Sequence, residues 1–135
     1  MPGAARELIA MRYQGGCHCG ALSFEVELND SVEVQECNCS MCHMVGFLHL
    51  IVPARDFRLL QGEEAITTYT FGTGVAKHTF CRHCGVKPFY VPRSNPDGYS
   101  INLRCLQSLP TDVSIEPFDG QNWEEHAASL KHLSE

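Results

Sequence analysis

The sequence predicts a mainly β fold, held together by clustered cysteines and finished by a short C-terminal helix. Three observations carry this prediction. Apolar residues alternate with polar ones along short segments, β-branched and aromatic residues gather between glycine and proline turns, and seven of the eight cysteines fall in tight groups. The 135 residues fit one domain and suffice to bury a real core. No internal repeat, low-complexity tract or linker interrupts them.

Leu22, Phe24, Val26 and Leu28 alternate with Ser23, Glu25 and Glu27, the pattern of a strand with one wet face. Val32 and Val34 extend the pattern towards Cys37. Residues 47–52 read as a mostly buried strand ended by Pro53. Residues 66–71 (Ile-Thr-Thr-Tyr-Thr-Phe) form another, after which Gly72 and Gly74 turn the chain. Further strands are expected at 76–80, 86–91, 99–103 and 113–118, and Pro88 marks the second of these as an edge strand or a bulge. Towards the end, Trp123, Ala127 and Leu130 share one helical face, and Asn122 with Glu125 has capping-box spacing.

Composition narrows the function classes. Hydrophobic residues make up 44% and charged residues 19%, a globular balance, and the formal charge is −6. No basic stripe is present to neutralise phosphates, so nucleic acid is not an expected partner. The longest apolar stretch, 45–52, is broken by Gly46 and His49 and falls far short of the ~20 residues that span a bilayer. Arg6, Glu7 and Arg12 leave no room for an apolar signal region, so the expected location is the cytoplasm.

In a reducing compartment, clustered cysteines point to metal rather than to disulfides. Cys81 and Cys84 are two residues apart, a spacing at which one tight turn aims both sulfurs at one ion, and Gly85 tolerates the positive φ such a turn needs. Cys17 and Cys19, flanked by Gly16 and Gly20, are the natural second pair. Together they give a closed four-cysteine zinc site. The alternative substitutes His18 or His83 for one sulfur.

Cys37, Cys39 and Cys42 form the third group, and three thiolates within six residues can cap one face of a second zinc. With the fourth position open, the site would be catalytic. Closed by Cys105, His43 or a distant residue, it would be structural. Three thiolates on a divalent ion leave a net negative charge, which weakens water activation and favours a soft sulfur ligand. Zinc would also lower the pKa of a substrate thiol and hold it as thiolate. Cys105 reads as a small buried hydrophobe. Lys77, Arg82, Arg93 and Arg104 are surface charges that could counter an anionic substrate. His43, His49 and His78 are candidate proton donors, and none stands out.

In order and context, Gly-Gly-Cys-His-Cys-Gly (15–20), Cys-Asn-Cys-Ser-Met-Cys (37–42) and Phe-Cys-Arg-His-Cys-Gly (80–85) resemble the glutathione-dependent formaldehyde-activating enzyme family. Residues 51–54, 66–71, 78–81, 84–86 and 89–96 look most similar to its centromere protein V branch. The resemblance covers about residues 13–125 and implies that this stretch is the core of a single domain over 1–135. It implies several coiled, mainly antiparallel β-sheets, a structural zinc on Cys17, Cys19, Cys81 and Cys84, and a more labile catalytic zinc on Cys37, Cys39 and Cys42. It further implies a carbon–sulfur lyase that joins glutathione, or a related small thiol, to formaldehyde as S-hydroxymethylglutathione. The long N-terminal region tied to chromatin and microtubules in one member of that branch has no counterpart before Tyr13, so that role is not carried over. Two rival readings are a non-catalytic interaction module with two structural zincs and a zinc or redox sensor.

Overall fold

The structure is a computed structural model that describes residues 10–135. Arg6 and Glu7, used above to argue location, lie outside the described residues. Among the described residues ten strands form three sheets. β1 (Ala10–Gly16), β2 (Ser23–Asn29) and β5 (Phe57–Gln61) make a three-stranded antiparallel sheet in the order β1-β2-β5. β3 (Ser31–Cys37), β4 (Leu48–Pro53), β8 (Phe89–Tyr90), β9 (Gly98–Asn102) and β10 (Asp112–Phe118) make a five-stranded sheet in the order β10-β3-β4-β9-β8. β6 (Ile66–Tyr69) and β7 (His78–Cys81) pair as a hairpin.

The first two sheets share a core. On β2 the alternation puts Phe24, Val26 and Leu28 inside, against Leu48, Leu50 and Val52 of β4 and Ile101 of β9. Each buried aliphatic or aromatic side chain of this kind contributes roughly 1.5–3 kcal/mol. Phe57 fixes the join, with its ring stacked on Tyr99 at 4.3 Å and tilted against Phe24 at 5.5 Å. β4 is buried on both faces, which explains its nearly unbroken apolar run. Leu48, Leu50 and Val52 face this core, while His49 and Ile51 line a cavity on the other side.

Among the described residues one strand pair is parallel. β10 runs alongside β3 from Asp112 opposite Ser31 to Phe118 opposite Cys37. The remaining pairs are antiparallel, as expected. The parallel register delivers residues 119–121 to the end of β3, beside the three-cysteine segment. Pro88 stands just before β8, a strand of two residues at the sheet edge. A missing N–H at that point explains why the expected strand over 86–91 is so short.

Three elements had no clear signal in the sequence: β1, β5 and the helix α1 (Ser40–Val45). The C-terminal segment docks on the sheet as expected, but only α2 (Trp123–His126) is α-helical, and residues Ala127–Ser134 continue as 3-10 turns. The expected capping box does not form. Asn122 Nδ2 donates instead to Asp119 Oδ2 at 2.7 Å, so its side chain is not free to cap the helix. Docking is held by Asn95, whose Nδ2 donates to Leu130 O at 2.9 Å and Ser134 Oγ at 2.8 Å. Among the described residues no helix is long and apolar enough to cross a membrane.

Candidate metal centres and active site

The sulfurs of Cys17, Cys19, Cys81 and Cys84 lie within 4.8 Å of one another. A tetrahedron with zinc–sulfur arms of ~2.3 Å has edges of about 3.8 Å, and the Cys17–Cys19 and Cys19–Cys81 separations are both 3.6 Å. The donor set therefore fits a zinc ion. Backbone N–H groups support it, with Leu22 N donating to Cys17 Sγ at 3.2 Å and His83 N to Cys81 Sγ at 3.4 Å. Gly85 has φ 78°, as the turn after Cys84 requires. Cys81 is buried against Leu22 and Ala65, so this cluster is also a small second core. His18 and His83 are exposed and belong to neither cluster.

The sulfurs of Cys37, Cys39 and Cys42 also lie within 4.8 Å of one another. They sit on the connection between β3 and β4. Cys39 caps α1, with its Sγ accepting from Cys42 N at 3.4 Å, and Cys37 Sγ accepts from Cys39 N at 3.5 Å. Without a cation three crowded thiols cannot all ionise. Hydrogen bonds from Cys37 and Cys42 hold Cys39 far below the usual thiol range, while hydrogen bonds with Cys37 and Cys39 push Cys42 far above it. A divalent ion would remove that conflict, so this set fits zinc as well.

The strand parallel to β3 supplies the backing. Asn38 Nδ2 donates to Asp119 Oδ1 at 3.1 Å, and Gln121 N donates to Asn38 Oδ1 at 3.0 Å. Between them, Gly120 packs so tightly that an added Cβ would stand 2.3 Å from Cys37 Sγ. No side chain fits there without moving the sulfur.

A cavity of about 490 Å³ opens onto Cys37, Cys39 and Cys42 and onto none of the other four clustered cysteines. Its walls come from β3, β4, β8, the β6–β7 loop and the C-terminal segment, including Gln35, His49, Phe71, Tyr90 and Trp123. Burial foremost, and then the Cys42, Cys37 and Cys39 sulfurs, push the Tyr90 phenol well above its ordinary value.

Residues 12–124 match the family described as glutathione-dependent formaldehyde-activating enzyme. The chain belongs to that family. A crystal structure of a Rhodobacter sphaeroides protein is also similar, at 38% identity and a TM-score of 0.68. That likeness covers 76% of this chain and 99% of the other.

Within this member of the formaldehyde-activating family, the other residues singled out in the sequence separate cleanly. Cys105 joins neither cluster. Its Sγ lies 3.9 Å from Lys87 O, and burial pushes its thiol up to about 11. His43 is exposed, whereas His49 and His78 are buried and line the cavity. Lys77 and Arg104 donate to the backbone oxygens of Gly74 and Gly46, and Arg82 is exposed. Of the four cations only Arg93 lines the cavity. Its guanidinium lies 3.7 Å from the centroid of Trp123 and pairs with Glu124 at 2.8 Å. Sequence reasoning missed Gln35, Lys87, Tyr90 and Gly120. Only the alternation through β3 and β4 could have placed Gln35 on the same face as His49.

Proposed function

We propose that this protein is a zinc-dependent enzyme of the carbon–sulfur lyase type, acting on adducts of glutathione such as S-hydroxymethylglutathione. The observation that carries the reading is the cavity, which reaches the three-cysteine cluster and leaves the four-cysteine cluster closed. In this reading Cys17, Cys19, Cys81 and Cys84 hold a structural zinc, and Cys37, Cys39 and Cys42 hold a catalytic one. Zinc at the second site would supply a thiol held as its reactive thiolate beside an electrophilic carbon.

The chain's own residues then do the positioning. Asn38, Asp119, Gly120 and Gln121 keep the three sulfurs convergent. Among the described residues Arg93 is the one Lys or Arg in the cavity wall, and it would pair with a carboxylate of glutathione. Phe71 and Trp123 narrow the space and exclude water. In the forward direction sulfur bonds to the carbonyl carbon, the carbonyl π pair moves to oxygen, and the proton lost from the thiol ends on that oxygen. The reverse breaks the carbon–sulfur bond. Eight free cysteines support a reducing compartment, and we assign the protein to the cytoplasm.

Exchange NMR on glutathione and formaldehyde tests the activity. Interconversion of free and hydroxymethylated glutathione should run faster with zinc-loaded protein than without it. A rate equal to the spontaneous one, with two chelator-resistant zincs, would instead favour a structural module.

A further inference from the structure

The cavity has a polar wall that the cysteine chemistry leaves unused. Gln35 and His49 stand directly opposite each other on β3 and β4. Gln35 Oε1 and His49 Nε2 are buried without any hydrogen-bond partner, the two such side-chain atoms among the described residues. Both residues line the cavity. Leaving a buried polar atom unpaired costs about 1–3 kcal/mol, and native folds keep few of them. Their shared place points to a ligand that makes hydrogen bonds.

His78 extends this wall. Its ring is clamped between Phe71 and Tyr90, with centroids at 5.2 and 4.8 Å and interplanar angles of 21° and 13°. Lys87 is buried on its Nδ1 edge, with Nζ 2.7 Å from Nδ1 and 4.0 Å from the Tyr90 centroid. An ammonium group can only donate, so Nδ1 accepts and the ring proton resides on Nε2. Burial lowers Lys87 to about 8, with the Cys42 and Cys39 sulfurs opposing, so it stays mostly cationic at neutral pH. Burial first, and the Lys87 charge second, bring His78 down to about 4 and keep it neutral. His78 lines the cavity while Lys87 does not. Its Nε2 is not among the sealed, unpaired atoms.

We propose that His78 Nε2–H binds the oxygen of the substrate's carbonyl or hydroxymethyl group, with Lys87 as the positioning residue that fixes the tautomer. Where that end is a hydroxymethyl group, its O–H donates to Gln35 Oε1, whereas a carbonyl oxygen only accepts, from His78 and from His49 with the proton on its Nε2. The inference rests on the reading of the three-cysteine cluster as a thiol-binding site, but it does not require that the thiol be glutathione.

Two thiols that differ by a hydroxyl for a methyl, 2-mercaptoethanol and 1-propanethiol, test the subsite by calorimetric titration of the zinc-loaded protein. The hydroxyl ligand should bind about five- to tenfold more tightly. His78→Phe should erase that preference while leaving propanethiol affinity within about twofold, and His78→Gln, whose amide can replace Nε2–H, should retain part of it. Equal binding of the two thiols, or a preference that survives His78→Phe, would overturn the proposal, as would binding of neither. A preference for the hydroxyl without any glutathione binding would leave the His78 subsite standing and remove the glutathione reading. Glutathione binding without the preference would do the reverse. The ring nitrogens of His78, read by ¹⁵N NMR without ligand, should show the Nε2–H tautomer in the native protein and a mixture in Lys87→Met. A native Nδ1–H tautomer would refute the role of Lys87.

Discussion

The two cysteine clusters use similar ligands in opposite ways. The four-cysteine cluster ties the turn after β1 to the turn after β7, with Cys19 and Cys81 62 positions apart and 3.6 Å from each other. The three-cysteine cluster belongs to one short segment and ties little together by itself. It is instead held from outside, by the 119–121 segment packed against Asn38 and Cys37. One cluster is closed and part of a small core, and the other faces a cavity. The contrast lies in segment linkage and access rather than in cysteine count alone, and it is the basis for proposing a structural site and a working one.

The largest expected effect follows from breaking the closed cluster. Cys81→Ser should leave the protein unfolded, because structural zinc supplies on the order of 10 kcal/mol in small zinc domains. Circular dichroism and thermal melting would show it, and a native-like melt would mean that the fold does not depend on this site. Cys39→Ser should leave a folded chain that has lost one zinc and at least ~100-fold of its exchange activity. If this variant unfolds like Cys81→Ser, the division of labour between the clusters is wrong.

Gly120→Ala probes the same contrast from the segment packed behind Cys37. A Cβ 2.3 Å from Cys37 Sγ should lower zinc affinity there by about 10–100-fold and leave the other zinc in place. Competition with a chelator measures this, and equal weakening of both sites would contradict the local account. The smallest effect is expected for Arg93→Ala, which should raise KM for glutathione about five- to tenfold with kcat nearly unchanged. An unchanged KM would remove Arg93 from substrate recognition.

Much of this contrast was legible in the sequence, because its signals are local. Spacing and flanking glycines paired Cys17 and Cys19 with Cys81 and Cys84, alternation placed β2 and β3, and an apolar run placed β4. What stayed hidden depends on pairing between distant segments. Nothing local says that β10 runs parallel to β3, and so nothing announces that Gly120 backs Cys37. Lys87 carries no local signal, because burying a lysine beside His78 and Tyr90 is a tertiary event. Asn122 and Glu125 had the right spacing for a cap, but Asp119 had already engaged the asparagine. β1 and β5 carry mixed polarity, which blurs their period.

The central claim is that one zinc is locked and the other is open to thiols. Native mass spectrometry of the zinc-loaded protein, before and after glutathione, tests it directly. The account predicts two zincs per chain at the start. After glutathione one zinc should be lost or carry a glutathione adduct, and the same change should be absent from Cys39→Ser. Two zincs that remain unchanged at every glutathione concentration would contradict it.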